Sequence, residues 1–292
     1  GALARVPHTI PDTGRMGVDA RLNDRGPYTF ALDTGATISV VFEGLRDELA
    51  LQPVPGKVLT IHGLVASGEF PYVLVGRIEV GREVWSAPNV AALPGDTDAV
   101  VGIDGILGLD FLRRYAVGFS AEDRVIRLYP PDLGAGSSYS GWSPIQLEPE
   151  FIGGSGAALY LFKIRIVCHD IPTIFDLGAG INLLNLDAAR ITGLDAAVSR
   201  EKDVLSGAID SAPLGTRFTI DEIKTGRIRW LNEEFRIGEL EFFTTMMRAD
   251  MPYALIGAGL FTQRDIIIDF TRNSLLVKTE MDEVQPGRVD LE

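Results

Sequence analysis

The stretch Tyr28-Thr-Phe-Ala-Leu-Asp33-Thr-Gly-Ala-Thr37 places a carboxylate between two apolar, strand-like runs. The residues before Asp33 alternate in the manner of a β-strand, and apolar residues resume at Ile38–Phe42. A buried charge without partners is costly, so a carboxylate at this place favours a chemical role. Gly35 has no side chain and therefore allows another chain segment to approach the turn closely.

The order of elements around this turn repeats later in the chain. A second apolar run, Thr173–Phe175, leads into Asp176-Leu-Gly-Ala-Gly, and Asp176 follows Asp33 by 143 residues (176 − 33). Two bulky apolar residues precede a glycine both at Gly108 and at Gly257, which are 149 residues apart (257 − 108). One loop can absorb the difference between the two spacings, so the pattern predicts a duplicated unit.

Duplicated halves related by a twofold-like axis would bring Asp33 and Asp176 face to face. Two carboxylates a few ångströms apart cannot both ionise readily, so the pair is expected to hold one proton. One carboxylate could then take a proton from water while the other protonates a carbonyl oxygen, which hydrolyses an amide. The segments Leu107–Gly108 and Ile256–Gly257 are predicted to pack beneath the two turns.

Composition excludes several classes of function. The 292 residues include 27 Lys or Arg against 40 Asp or Glu, and a net charge of −13 disfavours nucleic acid and anionic membrane surfaces as partners. A single cysteine, Cys168, excludes an internal disulfide framework. Three scattered histidines do not suggest a zinc site, so no metal and no cofactor are predicted.

Gly1 stands where a methionine would begin a chain, which is compatible with a signal or membrane anchor upstream.

Glycine-rich turns between short alternating apolar runs predict a mostly β protein. The predicted division is an N-terminal lobe over 1–132, a linker over 133–149 rich in proline, glycine and serine, and a C-terminal lobe over 150–292. Helices are predicted at Phe42–Leu51, Asp110–Tyr115 and Asp187–Ile191. One strand is predicted at Phe70–Val80, and two are predicted at Arg227–Leu231 and Glu234–Ile237.

The Phe30–Thr37 stretch, the later Ile-Leu-Gly and the whole order of elements resemble aspartic proteases of the pepsin and retropepsin kind. Ala36 after the triplet is retropepsin-like, and two such halves in one chain are similar to retropepsin-like proteases of bacteria, several of which work in the periplasm. The resemblance implies an all-β, bilobal pepsin-like fold with two pseudo-twofold-related, barrel-like lobes. It also implies a cleft between the lobes, a six-stranded platform joining them, a β-hairpin flap and a periplasmic location.

The same resemblance implies an aspartic endopeptidase that acts as a monomer on an extended segment of a protein or peptide, with apolar side chains near the cut. Its catalytic residues would be Asp33 and Asp176. The other residues to which the resemblance assigns a role are Thr34, Gly35, Leu177 and Gly178 around the dyad, Leu107, Gly108, Ile256 and Gly257 beneath it, and Gly63, Leu64, Val65, Ala66, Ser67 and Gly68 in the flap.

One residue departs from the family pattern. Leu177 stands where the family has Thr or Ser, whose hydroxyl bonds across the lobes and holds the dyad rigid. This departure keeps open a pseudoprotease that binds peptides or a partner protein without cutting them. A site formed between the first lobes of two chains is a further alternative. Another Asp-Thr-Gly, at Pro11–Gly14, lacks an apolar strand before it and is interpreted as a surface turn.

Overall fold

The computed structural model describes residues 1–9, 15–62, 67–131, 141–152, 157–195, 202–206, 211–215, 217–245, 247–248 and 250–279. The described part of the chain is mostly β, as its alternating apolar pattern predicts. Its strands are β1 Ala4–Thr9, β2 Gly17–Leu22, β3 Arg25–Leu32, β4 Val40–Phe42, β5 Pro53–His62, β6 Ser67–Leu74, β7 Arg77–Val80, β8 Glu83–Ser86, β9 Asn89–Leu93, β10 Gly105–Leu107, β11 Ala116–Ser120, β12 Val125–Tyr129, β13 Trp142–Gln146, β14 Glu148–Ile152, β15 Ala157–Ile166, β16 His169–Phe175, β17 Leu183–Leu184, β18 Lys202–Ser206, β19 Ser211–Gly215, β20 Phe218–Thr225, β21 Ile228–Ile237, β22 Ala254–Ile256, β23 Ile266–Asp269 and β24 Ser274–Lys278.

The helices are short and lie between strands. They are α1 Glu43–Glu48, α2 Leu109–Leu112, α3 Leu186–Ile191, α4 Glu241–Thr245 and α5 Ala258–Phe261, with a 3₁₀ turn at Asp98–Val100. The first three confirm the helices predicted from the sequence, with ends that differ by up to three residues. No helix in the described ranges is long and apolar enough to cross a membrane.

A large mixed sheet carries strands from both ends of the chain. Six of its strands follow one another in the order β13-β24-β23-β11-β12-β1, and each neighbouring pair is antiparallel. The contact between the two ends of the chain is β11 against β23, where Val117 pairs with Ile268. Strands from both halves of the chain thus share one sheet, which continues from β1 into β2.

The elements around the two Asp turns have the same topology in both halves of the chain. In the first half, β10 runs parallel to β3 and antiparallel to β4, and β4 runs parallel to β9. In the second half, β22 runs parallel to β16 and antiparallel to β17, and β17 runs parallel to β21. The second set belongs to a separate seven-stranded sheet, in which β15 also pairs with β20. The repeat that the sequence predicts is therefore present in the strand pairing.

Two strand predictions were wrong. The predicted strand Phe70–Val80 is divided into β6 and β7, because the Val75 amide and the Gly76 carbonyl bond instead to Pro88 and Ala87. The two strands predicted at Arg227–Leu231 and Glu234–Ile237 form the single strand β21, within which Asn232 has a left-handed φ of 55°. Asparagine tolerates that conformation, so the strand continues through it.

The segment predicted as a linker contains regular structure. Residues 132–140 lie outside the described residues, but Trp142–Gln146 forms β13 and pairs with β24. The start of β14 follows at Glu148. The exact division into lobes therefore stays a prediction.

Candidate active site

The two Asp turns are held by equivalent backbone hydrogen bonds. Asp33 follows β3, and its amide donates to the carbonyl oxygen of Leu107 at 3.1 Å. Asp176 follows β16, and its amide donates to the carbonyl oxygen of Ile256 at 3.0 Å. Thus β10 fixes the start of the Asp33 turn, and β22 fixes the start of the Asp176 turn. These two strands carry the bulky apolar residues that precede Gly108 and Gly257.

Gly108 and Gly257 let these strands pass close to the turns. A Cβ atom on Gly108 would lie 2.7 Å from the Ala36 carbonyl oxygen, and one on Gly257 would lie 2.5 Å from that of Ala179. Those carbonyl oxygens accept hydrogen bonds from the amides that directly follow the glycines, at 2.8 Å in the first half and 3.0 Å in the second. Any larger residue would push the supporting strand away from the turn.

The structure brings Asp33 and Asp176 together. The Oδ1 atom of Asp33 accepts a hydrogen bond from the Gly35 amide, and that of Asp176 accepts one from the Gly178 amide, each at 2.8 Å. A Cβ atom on Gly35 would lie 2.7 Å from the carboxyl carbon of Asp176, and one on Gly178 would overlap the carboxyl group of Asp33. Each carboxyl group therefore lies against the glycine of the other turn.

The two carboxyl groups differ in environment. Asp176 is 3% exposed, whereas Asp33 is partly exposed. Burial raises the pKa of Asp176 well above its usual range, and the charge of Asp33 and a hydrogen bond with it raise that pKa further. The nearby guanidinium of Arg15 lowers the pKa of Asp176, but the net shift is upward. The protonated form of Asp176 is therefore favoured.

Thr34 links the two turns. Its hydroxyl donates to the carbonyl oxygen of Phe175 at 2.9 Å and accepts a hydrogen bond from the amide of Leu177 at 2.9 Å. Thr34 is completely buried, so both bonds are shielded from water. We call this pair of bonds the Thr34 bridge.

Leu177 cannot form the equivalent bridge in the opposite direction. Its side chain is completely buried in the main hydrophobic cluster, which also contains Leu32 and Phe175. The amide of Leu177 is used by the Thr34 bridge, but the side chain has no hydroxyl to donate back. The link between the turns therefore runs through one hydroxyl rather than two.

The structure identifies supporting residues that the sequence analysis missed. Gly108 donates its amide to Ser39 Oγ at 3.0 Å, and Gly257 donates its amide to Asn182 Oδ1 at 3.0 Å. Ser39 and Asn182 each follow their Asp by six residues, so the repeat spacing could have identified them. Because one is a serine and the other an asparagine, a search for identical residues does not reveal the pair.

Asp110 has a structural role in the first half. It accepts bonds from the Ser39 hydroxyl at 2.6 Å and from the Ser39 amide at 2.9 Å. Burial raises the pKa of Asp110, and these bonds from Ser39 oppose that rise. Asp110 thus orients the serine that holds Gly108, and it does not enter the pair of carboxylates.

The predicted flap lies partly outside the described residues. Gly63, Leu64, Val65 and Ala66 are not described, whereas Ser67 and Gly68 begin β6. β5 and β6 pair as an antiparallel hairpin up to His62 opposite Ser67. The second Asp-Thr-Gly, at Pro11–Gly14, also lies outside the described residues. Among the residues that are described, no group of three or more His, Cys, Asp or Glu side chains is arranged to hold a metal ion.

An aspartyl protease family model matches residues 18–111. The matched part runs from β2 to α2 and includes the Asp33 turn, the Thr34 hydroxyl and the supporting Leu107–Gly108. The match indicates a retropepsin-like aspartyl protease domain in the N-terminal part of the chain, and the family implies peptidase activity on a peptide substrate. It does not extend to the Asp176 turn. A comparison with curated proteins gave no match.

Proposed function

We propose that the protein is an aspartic endopeptidase with a bilobal pepsin-like fold, in which Asp33 and Asp176 activate a water molecule. The observation that carries the proposal is reciprocal: each carboxyl group lies against the glycine of the other Asp turn. The equivalent hydrogen bonds from the Asp33 and Asp176 amides to Leu107 and Ile256 support it, because they fix the start of both turns in the same way.

In the proposed mechanism the pair holds one proton, which resides on Asp176 before the substrate reacts. The buried site of Asp176 disfavours its charged form, while Asp33 is closer to solvent. Asp33 takes a proton from the attacking water, and Asp176 protonates the carbonyl oxygen of the scissile bond. The products of this step are a neutral gem-diol and a pair whose proton now lies on Asp33. Collapse of the diol with protonation of the leaving amine completes the hydrolysis.

The proposed substrate is an extended protein segment that lies over the dyad, under the hairpin of β5 and β6. Both carboxylates come from one chain, so the proposal needs only a monomer. In this proposal residues 1–132 and 150–292 form the two lobes, and the enzyme works in the periplasm, as the family resemblance implies.

A second candidate function rests on Leu177. With one bridge between the turns instead of two, the dyad would be less firmly oriented, and the cleft could serve to bind peptides without cutting them. The complete burial of Leu177 supports this alternative only in part, because Thr34 still joins both turns. The enzyme is therefore the preferred proposal.

Cleavage of an unbiased peptide library tests the proposal. We expect the wild-type protein to cleave, and Asp33→Asn and Asp176→Asn to lose roughly 100- to 10,000-fold of that activity, because each removes an acid or base of the reaction. Asp170→Asn is the matched control. Asp170 lies on β16, the same strand that leads to Asp176, but it is exposed and paired with Arg165.

The possible results separate the two functions. Loss of cleavage in both dyad variants, with normal cleavage by the control, supports the endopeptidase. Equal activity of wild type and both dyad variants would overturn it. Peptide binding without cleavage by the wild type would instead support the pseudoprotease.

A further inference from the structure

Arg15 lies beside the Asp33 turn on the neighbouring chain segment. Gly17 pairs with Ala31 in the antiparallel β2–β3 ladder, and the Leu32 amide donates to the Met16 carbonyl oxygen at 2.9 Å. Continuing this register by one residue places Arg15 opposite Asp33. Directly opposed residues of an antiparallel pair project from the same face, so Arg15 is on the face that carries the Asp33 carboxyl group.

The guanidinium of Arg15 is buried with an unused donor. Arg15 is only 8% exposed, and its Nη1 atom has no hydrogen-bond partner among the described residues. A buried donor without an acceptor is costly, and more so when it carries a charge. A protein retains such a group at little disadvantage when a ligand supplies the missing acceptor.

The charge of Arg15 reaches the dyad. Its positive charge lowers the pKa of Asp176. This influence is weaker than burial and the charge of Asp33, which together raise that pKa. Arg15 therefore does not neutralise the pair, and its buried Nη1 atom is left without an acceptor among the described residues.

We propose that Arg15 is a specificity-determining residue that binds a carboxylate of the substrate close to the scissile bond. The inference rests on the proposed endopeptidase function. Guanidinium groups bind carboxylates through paired, charge-assisted hydrogen bonds, which are stronger than neutral ones. Because the chain as a whole carries a net charge of −13, a preference for an acidic side chain is expected at one substrate position and not along the whole peptide.

The wild-type protein provides the first test. Peptides acetylated at the N-terminus and amidated at the C-terminus are compared in pairs that differ only by Glu or Gln at one position. We expect kcat/KM to favour Glu by about 10- to 100-fold at one position near the cut, as a charge-assisted hydrogen bond would give. Matching peptides with a free C-terminus distinguish a terminal carboxylate from a side-chain carboxylate.

Variants of Arg15 provide the second test. Arg15→Met and Arg15→Gln should reduce the Glu-to-Gln ratio to about one, whereas Arg15→Lys should retain part of it, because lysine keeps the charge but not the paired donors. Arg21→Met is the matched control, since Arg21 is exposed on β2 and bonds to the Asp24 carbonyl oxygen. Its ratio should equal that of the wild type. A ratio within one variant does not depend on how much of that variant is folded.

The outcomes for this inference and for the proposed function are distinct. Cleavage by the wild type with equal kcat/KM for Glu and Gln peptides at every position would overturn the role of Arg15 and leave the endopeptidase intact. An unchanged Glu preference in both neutral variants would also overturn it. If the wild type cleaves no peptide, the endopeptidase fails, and the ratio of binding affinities for the same peptide pairs decides the role of Arg15.

Discussion

Thr34 and Leu177 occupy equivalent positions in the two Asp turns, yet only Thr34 bonds across to the other turn. Its hydroxyl donates to the Phe175 carbonyl oxygen and accepts from the Leu177 amide, both at 2.9 Å. The equivalent acceptor and donor for a hydroxyl at 177 would be the Leu32 carbonyl and the Thr34 amide. The two Asp turns are thus joined by an asymmetric link, and the following predictions test its consequences.

Thr34→Val should destabilise the protein more than Thr34→Ser. Valine has nearly the shape of threonine but leaves the Phe175 carbonyl and the Leu177 amide without their buried partner, which costs about 1–3 kcal/mol. Serine retains the hydroxyl and loses only a methyl group. Urea denaturation of both variants measures the difference in the free energy of unfolding. Equal stability of the two variants would mean that the Thr34 bridge contributes little.

Leu177→Thr should outperform Leu177→Val in both activity and stability. Each variant loses apolar volume from a completely buried position, so both should be less stable than the wild type. Only threonine can form the second bridge, which should make it more stable than the valine variant by about 1 kcal/mol. Urea denaturation and kcat on a cleaved peptide are the measurements. If the two variants are equal in both, a second hydroxyl does not strengthen this dyad.

Gly35→Ala should abolish activity because its methyl group would occupy the space of the Asp176 carboxyl group. The added Cβ would lie 2.7 Å from the Asp176 carboxyl carbon, well inside van der Waals contact. Gly259→Ala is the matched control, since a Cβ there meets nothing within 4 Å. In α5 that change should stabilise the protein by about 0.5–1 kcal/mol, because alanine favours helix.

Assays of cleavage and thermal unfolding on both glycine variants test this prediction. Folded but inactive Gly35→Ala, together with active Gly259→Ala, is the expected result. Full activity of Gly35→Ala would contradict the close approach of the two turns.

The repeat could be predicted from the sequence because its signals are local. Asp33 and Asp176 each follow an apolar run and precede a glycine, and the later glycine motifs recur at a similar spacing. Ser39 and Asn182 were missed because different side chains perform the same task, accepting an amide hydrogen bond. Their common spacing of six residues after each Asp is visible in the sequence, but the geometry of both turns is needed to show that the two side chains accept equivalent hydrogen bonds.

Arg15 could not be assigned from the sequence for another reason. The sequence predicts a surface turn at Pro11–Gly14, because no apolar strand precedes this Asp-Thr-Gly and Arg15–Met16 follow it. The position of Arg15 beside Asp33 depends on the β2–β3 register, which is set by the turn at Asn23–Asp24 together with a register shift between Ala20 and Leu22. The division of the predicted strand Phe70–Val80 into β6 and β7 likewise depends on hydrogen bonds to another segment, at Pro88 and Ala87.

The stability of the protein should depend on pH through Asp176. Burial and the charge of Asp33 raise the pKa of Asp176 in the folded state above the unfolded value of about 3.9. The folded state then binds the proton more tightly, so this group's contribution is fully present below about pH 4. It is lost as the pH rises from there through the raised pKa of the folded state.

Asp176→Asn removes this titration. The free energy of unfolding of the variant, minus that of the wild type, should therefore increase as the pH rises above about 4. Urea denaturation of both proteins at a series of pH values from about 4 to 8 measures the difference. Asp170→Asn is the control, because hydrogen bonds from Arg165 hold the pKa of Asp170 below its usual range. Any contribution of Asp170 is lost only as the pH falls below about 4, so the effect of this variant should stay nearly constant over the series. The prediction would be wrong if the difference in the free energy of unfolding between Asp176→Asn and the wild type stayed constant over the series. In that case the pKa of Asp176 would be the same in the folded and unfolded states.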